Sequence, residues 1–266
     1  MIPDFITEAM APGRWPVFVL IATRLGGLML TAPLWSMTTL PRTSRAVITV
    51  ILTVLLLPSA PSAPVPEQIL DLPLPIAMEM VIGLAIGLTA AVLVQGAAMA
   101  GEIIGVQSGL TIGAALLPDP DMQGSALSQL HSSLAVLVYI AVGGHTMMLS
   151  ALAKSLEMLP PGMSMSIDRG ALATTGLLSG LFMTAVRTAA PIMVTLLLVN
   201  IAFAILNRAV PQLNAMVLAF PVTIAISLIM VGITIEITAD AMAGWVQGLN
   251  GTINGVLSSF HPYGAY

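Results

Sequence analysis

A chain of 266 residues with 57% hydrophobic side chains, 8% charged side chains and a mean hydropathy of +1.00 is not an ordinary soluble domain, in which roughly a quarter of residues are charged. It reads as an integral membrane protein whose few charges each need an explanation. The net charge of −4 is too small and too spread to imply a nucleic-acid partner, and the absence of cysteine excludes disulfides, thiolate metal sites and cysteine nucleophiles.

The N-terminal stretch MIPDFITEAMAPGRW places acids before its first arginine and has no basic n-region, so it does not read as a cleaved signal peptide. The first apolar segment, Trp15 to Trp35, is about the ~20 residues that cross a bilayer. Arg24 interrupts it near the middle, at a cost of at least ~2.5 kcal/mol in lipid, and should face protein, water or an acidic partner. Pairing inside a helix bundle and functional coupling both meet that requirement.

Pro33 to Arg45 is a break carrying Arg42 and Arg45, and the apolar run Ala46 to Leu57 after it is too short to cross alone. The proline-rich link Pro58 to Pro75 reads as a stiff connector, its acids Glu67 and Asp71 forming a solvated face. A third segment, Ile76 to Ala100, carries Glu79 near its start. Its Gly83 and Gly87 have the GxxxG spacing that lets helix backbones approach closely.

Gly101 to Gln123, GEIIGVQSGLTIGAALLPDPDMQ, contradicts the apolar segments on either side of it. Glycines recur at Gly101, Gly105, Gly109 and Gly113, and Pro118, Asp119, Pro120 and Asp121 follow. This pattern predicts a loop. Irregular backbone at membrane depth is tolerated only where protein buries it or it lines a water-filled path, so a pore, gate or plug is implied.

The fourth segment, Leu127 to Leu152, holds His131 and His145, too far apart on one helix to share a metal ion and therefore structural. A polar turn, Lys154 to Arg169, leads to the run Ala171 to Leu206, longer than one crossing needs. Arg187, Thr188 and Pro191 inside it predict a kink or two helices meeting end to end. Between Asn200 and Pro221, Asn207, Arg208, Gln212 and Asn214 gather around Pro211, a grouping of carboxamides suited to orphaned backbone groups on neighbouring chains. A sixth segment, Val222 to Thr238, ends near Glu236 and Asp240, and the tail from Trp245 to Tyr266 reads as peripheral.

If all six segments cross, Arg14, Lys154 and Arg169 oppose Arg42, Arg45 and Arg208, so the positive-inside rule gives no orientation. The 18 methionines suit an adaptable seal as well as ordinary packing.

Three features together, the loop GEIIGVQSGLTIGAALLPDPD, Arg24 with Pro33, and above all NIAFAILNRAVPQLNAMVLAFPVTI, resemble the FliR family of flagellar biosynthetic proteins. The virulence counterpart of that family is the T component of type III secretion export gates. The resemblance runs from about Pro16 to Asp240. It implies an all-α integral membrane protein of about six apolar helical segments, some broken or kinked, in which a P-like unit (about 1–190) is joined to a Q-like helical hairpin (about 191–240), with the tail 241–266 peripheral. It implies one copy assembled with several P and Q components into a conduit for unfolded export substrates, contact with the B-type switch subunit, and a place in the flagellar basal body of the bacterial inner membrane.

On that resemblance Gly101, Glu102, Gly105, Gln107, Gly109 and Asp119 belong to a plug loop. Asn207, Arg208, Pro211, Gln212 and Asn214 make subunit contacts near a cytoplasmic turn, and Arg24 and Arg187 are intramembrane charges. No cofactor and no nucleic acid is implied. Flagellar and virulence-type systems share these motifs and both stay open, with a lean to the flagellar one.

Two other functions compete with this one. A solute transporter predicts related halves with corresponding breaks, yet GEIIGVQSGL and NRAVPQLN do not resemble one another. An intramembrane enzyme needs a nucleophile with a base, or a metal pair, and the chain has neither HExxH nor GxSxG; it also lacks a phosphate-binding GxxxxGK[ST].

Overall fold

The computed structural model of the chain describes residues 14–35, 41–61, 69–111, 125–163, 165–210 and 215–261. Every regular element among them is helical. In chain order they are α1 (Trp15–Thr31), α2 (Arg42–Leu56), α3 (Pro73–Ser108), α4 (Ala126–Ala141), α5 (Gly144–Met158), α6 (Ile167–Ala209), α7 (Ala215–Gln247) and α8 (Leu249–Phe260), with short 3-10 turns at Leu57–Ser59 and Ile69–Asp71. The protein is an all-α integral membrane protein. Four of its stretches, Arg42–Ser59, Pro73–Ser108, Asp168–Ala209 and Leu218–Gln247, are long and apolar enough to cross a membrane, and α4 with α5 makes a fifth if that broken pair is one span.

Several elements differ from what the sequence predicts. Helix α3 does not stop at Ala100 but continues to Ser108, through glycines whose pattern predicts a loop. A four-residue glycine period is also a helical period, and it places the glycines on one face that can meet another backbone. The fourth segment is broken at Val142 and Gly143, where Gly143 takes a left-handed φ of 82° and caps α5. The overlong fifth segment is one helix of 43 residues with Pro191 inside it, rather than two helices end to end. Within the stretch read as a peripheral tail, α8 buries Leu249, Ile253, Val256, Leu257 and Phe260 and packs on α5.

The chain forms two compact units that interleave along the sequence, residues 1–92, 142–178 and 246–266 in one and residues 93–141 and 179–245 in the other. In the first, α1 and the opening of α3 pack backbone to backbone. A Cβ on Gly83 would overlap the Arg24 carbonyl, one on Gly87 would overlap the Thr31 side chain, and one on Gly27 would press on the Met80 carbonyl. Here the GxxxG spacing is a true contact face. Leu20, Ile21, Leu25 and Leu28 of α1 are buried beside it. Phe260 of α8 fills the space over Gly170, and the Phe260 carbonyl accepts the Ser166 N–H at 3.0 Å.

In the second unit the core is Ala100, Ile104, Leu127, Ala189, Ile192, Leu196 and Val231, contributed by α3, α4, α6 and α7. Three of these residues are alanine or valine, and the glycine face of α3 brings α4 close. A Cβ on Gly101 would collide with the backbone of Leu127 and Ser128, and one on Gly105 with the Ser125 side chain.

Candidate functional site

The residues expected to form the plug begin on the last turns of α3, and the structure holds that end of the helix from three sides. The Gln107 Nε2 donates to the Met193 carbonyl of α6 at 3.2 Å, and the Thr223 hydroxyl of α7 donates to the Ser108 carbonyl at 3.0 Å. The Glu102 carboxylate accepts the Ser125 N–H at 2.8 Å, just before α4. The Ser125 hydroxyl in turn donates to the Gly101 carbonyl at 3.4 Å and accepts the Ser128 N–H at 3.1 Å, capping α4.

Helix α3 ends where it must. Gly109 takes a φ of +86°, a left-handed conformation that side chains rarely adopt, and its N–H bonds back to the Val106 carbonyl at 3.2 Å. A Cβ at Gly109 would also press on the Phe220 ring of α7. The stretch between residues 111 and 125 is therefore entered and left at one base. Its entry is fixed by Gln107, Ser108 and Gly109, and its exit by Ser125 on Glu102. Asp119 lies outside the described residues. The supporting residues carry no signal in the sequence: Ser125 stands just before α4, Met193 lies in α6 and Phe220 and Thr223 lie in α7, and their relevance comes only from packing.

Arg24 forms the second constellation, within the other unit. Its side chain is 0% exposed, and its Nε donates to the Glu79 Oε2 at 2.5 Å. The Nη1 donates to the Ser155 carbonyl at 2.9 Å and to the Ser155 hydroxyl at 3.1 Å, and the Nη2 to the Leu159 carbonyl at 2.8 Å. The remaining Glu79 oxygen accepts the Gly162 N–H at 3.1 Å. The guanidinium thus sits at the C-terminal end of α5, where the helix dipole favours a cation; it caps the Leu159 carbonyl and adds a second donor to the Ser155 carbonyl, which already accepts the Leu159 N–H at 2.9 Å. This meets the requirement that Arg24 face protein and an acidic partner. Glu79 is that partner.

Arg187 is placed differently. It is exposed on α6 and, among the described residues, has no hydrogen-bond or ion-pair partner. Asn207 and Arg208 are exposed on the last turn of α6, where a cation is favoured by the helix dipole, and Pro211, Gln212 and Asn214 lie outside the described residues. Among the described residues, neither Asn207 nor Arg208 makes a hydrogen bond or ion pair to the base of the 111–125 stretch.

His131 is buried, and its Nδ1 lies 2.8 Å from the Leu127 carbonyl, as a structural histidine would. Among the described residues no group of His, Cys, Asp or Glu could hold a metal ion.

Residues 15–249 match the family described as bacterial export proteins, family 1. The chain is 29% identical over 214 residues to the flagellar biosynthetic protein FliR of Escherichia coli (strain K12), which covers 80% of each chain. Against FliR of Bacillus subtilis (strain 168) the identity is 27% over 222 residues, 81% of this chain and 85% of that one. Secretion system apparatus protein SsaT of Salmonella typhimurium is 27% identical over 144 residues, 54% of this chain and 56% of that one. Matched over residues 15–249, the chain belongs to the FliR family of bacterial export proteins.

Proposed function

We propose that this chain is a core subunit of a type III export gate and that the stretch beyond Gly109, including Asp119, serves as its plug. A multi-pass membrane component of a type III export apparatus follows from the family and from the apolar helices. In this reading a single copy assembles with several copies of the P and Q components, forms a conduit for unfolded export substrates in the bacterial inner membrane at the flagellar basal body, and meets the B-type switch subunit. Residues of about 1–190 act as the P-like unit and about 191–240 as the Q-like hairpin, with Asn207, Arg208, Pro211, Gln212 and Asn214 in subunit contact.

The observation that carries the plug is the shared base. Glu102 holds Ser125 while Thr223 and Gln107 hold the end of α3, so the two ends of the stretch between are fixed beside one another, as the base of a plug has to be. Gly109 is the natural pivot, since only glycine holds its φ without strain. Energy for opening has to come from other subunits, because the chain has no phosphate-binding loop.

The test is to remove residues 113–123 from the full chain in its own host and measure ion conductance across membranes containing the assembled complex. The proposal expects a leak. Conductance equal to that of the unaltered complex, with the complex still assembled, would contradict it.

A further inference from the structure

We infer that Arg187 and Glu236 form one charged level on the α6–α7 hairpin that docks neighbouring membrane helices of opposite charge, a carboxylate facing Arg187 and an amino or guanidinium group facing Glu236. The inference rests on the export-gate reading and adds to it the chemistry of the contact.

The two charges share a level. Arg187 lies 22 residues before the end of α6 at Ala209 and Glu236 lies 21 residues after the start of α7 at Ala215, about 33 and about 32 Å from the turn at 1.5 Å per residue. This register agrees with the packing, since Ala189, Ile192 and Leu196 of α6 and Val231 of α7 belong to one buried cluster. Both charges point away from the core. The buried positions of α6 are Ala185, Ala189, Ile192 and Leu196, and those of α7 include Ser227, Val231, Thr234 and Thr238, so Arg187 and Glu236 occupy the opposite faces of their helices. Neither has a partner among the described residues.

Lipid is the wrong occupant for this level. The apolar stretch of α6 is 42 residues, about 63 Å, roughly twice the ~30 Å hydrocarbon core of a bilayer, so lipid tails do not cover all of it. A headgroup level would have apolar surface on one side only. Here Phe182 and Met183 are exposed on one side of Arg187 and Val194 and Leu198 on the other, while Ile229 and Ile233 precede Glu236 and Ile237 follows it. Anionic headgroups would satisfy Arg187 but repel Glu236 and the exposed Asp240 one turn further on. A protein surface covers apolar residues above and below the level and supplies both signs of charge. Two further features suit such a surface. Pro191 has no N–H for the Arg187 carbonyl, which leaves an acceptor at the same level, and Gly232, one turn from Glu236, has open space where a Cβ would stand, so a partner helix can come close.

The experiment isolates the tagged full chain from its own host membrane and quantifies co-isolated membrane proteins for the unaltered chain, Arg187→Leu, Glu236→Leu and Arg187→Lys. Leucine suits lipid, so the leucine variants should stay in the membrane at unaltered levels yet lose partner recovery by tenfold or more, while Arg187→Lys retains most of it. Leucine variants that assemble and export as well as the unaltered chain would overturn the inference alone. Failure of the unaltered chain to recover any partner would overturn the export-gate reading with it. If a leucine variant does not reach the membrane, Met183→Cys decides, because the chain has no cysteine of its own. A maleimide should label it in the detergent-solubilised free chain and not in the assembled complex, and equal labelling in both would refute the contact.

Discussion

Replacing Glu79 with glutamine keeps the volume of the side chain and removes the charge that Arg24 is built around. Arg24 is 0% exposed, so Glu79→Gln leaves its guanidinium inside the protein with no anion beside it, and the one carboxamide oxygen cannot serve both the Arg24 Nε and the Gly162 N–H as the two carboxylate oxygens do. Breaking a buried pair in this way costs about 3–5 kcal/mol. At about 2–4 °C per kcal/mol for a chain of this size, thermal unfolding in detergent should begin about 6–20 °C lower. Arg24→Met also destabilises, because it strips the cap from the end of α5 and leaves Glu79 with only the Gly162 N–H. In the double variant Arg24→Met with Glu79→Gln, the loss should be clearly smaller than the two single losses added, since the unpaired charge is gone. Measured by thermal unfolding and by the amount of chain in the membrane, a Glu79→Gln variant within about 1 °C of the parent, or strictly additive losses, would refute the pairing.

The glycine face gives a contrast within one residue type. Gly101→Val should destabilise by about 1–3 kcal/mol or more, because its Cβ meets the Leu127 backbone, while Gly26→Ala, with open space around it, should be neutral or stabilising by about 0.5–1 kcal/mol; membrane levels and thermal unfolding of the two variants decide. Gly109→Ala should weaken the end of α3 through its φ of +86° and its contact with Phe220, and should raise ion conductance of the assembled complex; unchanged conductance would remove Gly109 as the pivot. Arg208→Ala should lower assembly or export without lowering the amount of chain in the membrane, since its side chain is exposed, and normal levels of both would exclude it from the subunit contact.

Much of the fold class is visible in the chain because a charge in an apolar segment is costly. The position of Arg24 within an apolar run is enough to demand a protein environment for it, but the choice of Glu79 over other acids depends on how α1 and α3 cross at Gly27, Gly83 and Gly87. The glycines from Gly101 to Gly109 show the opposite outcome. Their spacing suggests irregular backbone, while packing against Leu127 and Ser125 makes it a helix face up to Ser108. Glycine lowers helix propensity by about 1 kcal/mol, and close helix contact outweighs that locally. Pro191 is a fair signal for a break, yet α6 continues through it, because one missing hydrogen bond does not end a helix supported by Ala189, Ile192 and Leu196 in the core. Glu236 carries no signal of its own. Only its level relative to Arg187 on the neighbouring helix gives it meaning.

Native mass spectrometry of the tagged chain, extracted gently from its own host membrane, tests the export-gate assignment most directly. The account predicts one copy of the chain within a large complex of two smaller membrane proteins, each present several times. Recovery as a monomer or homodimer, under conditions that keep a known membrane complex of the same host intact, would contradict it.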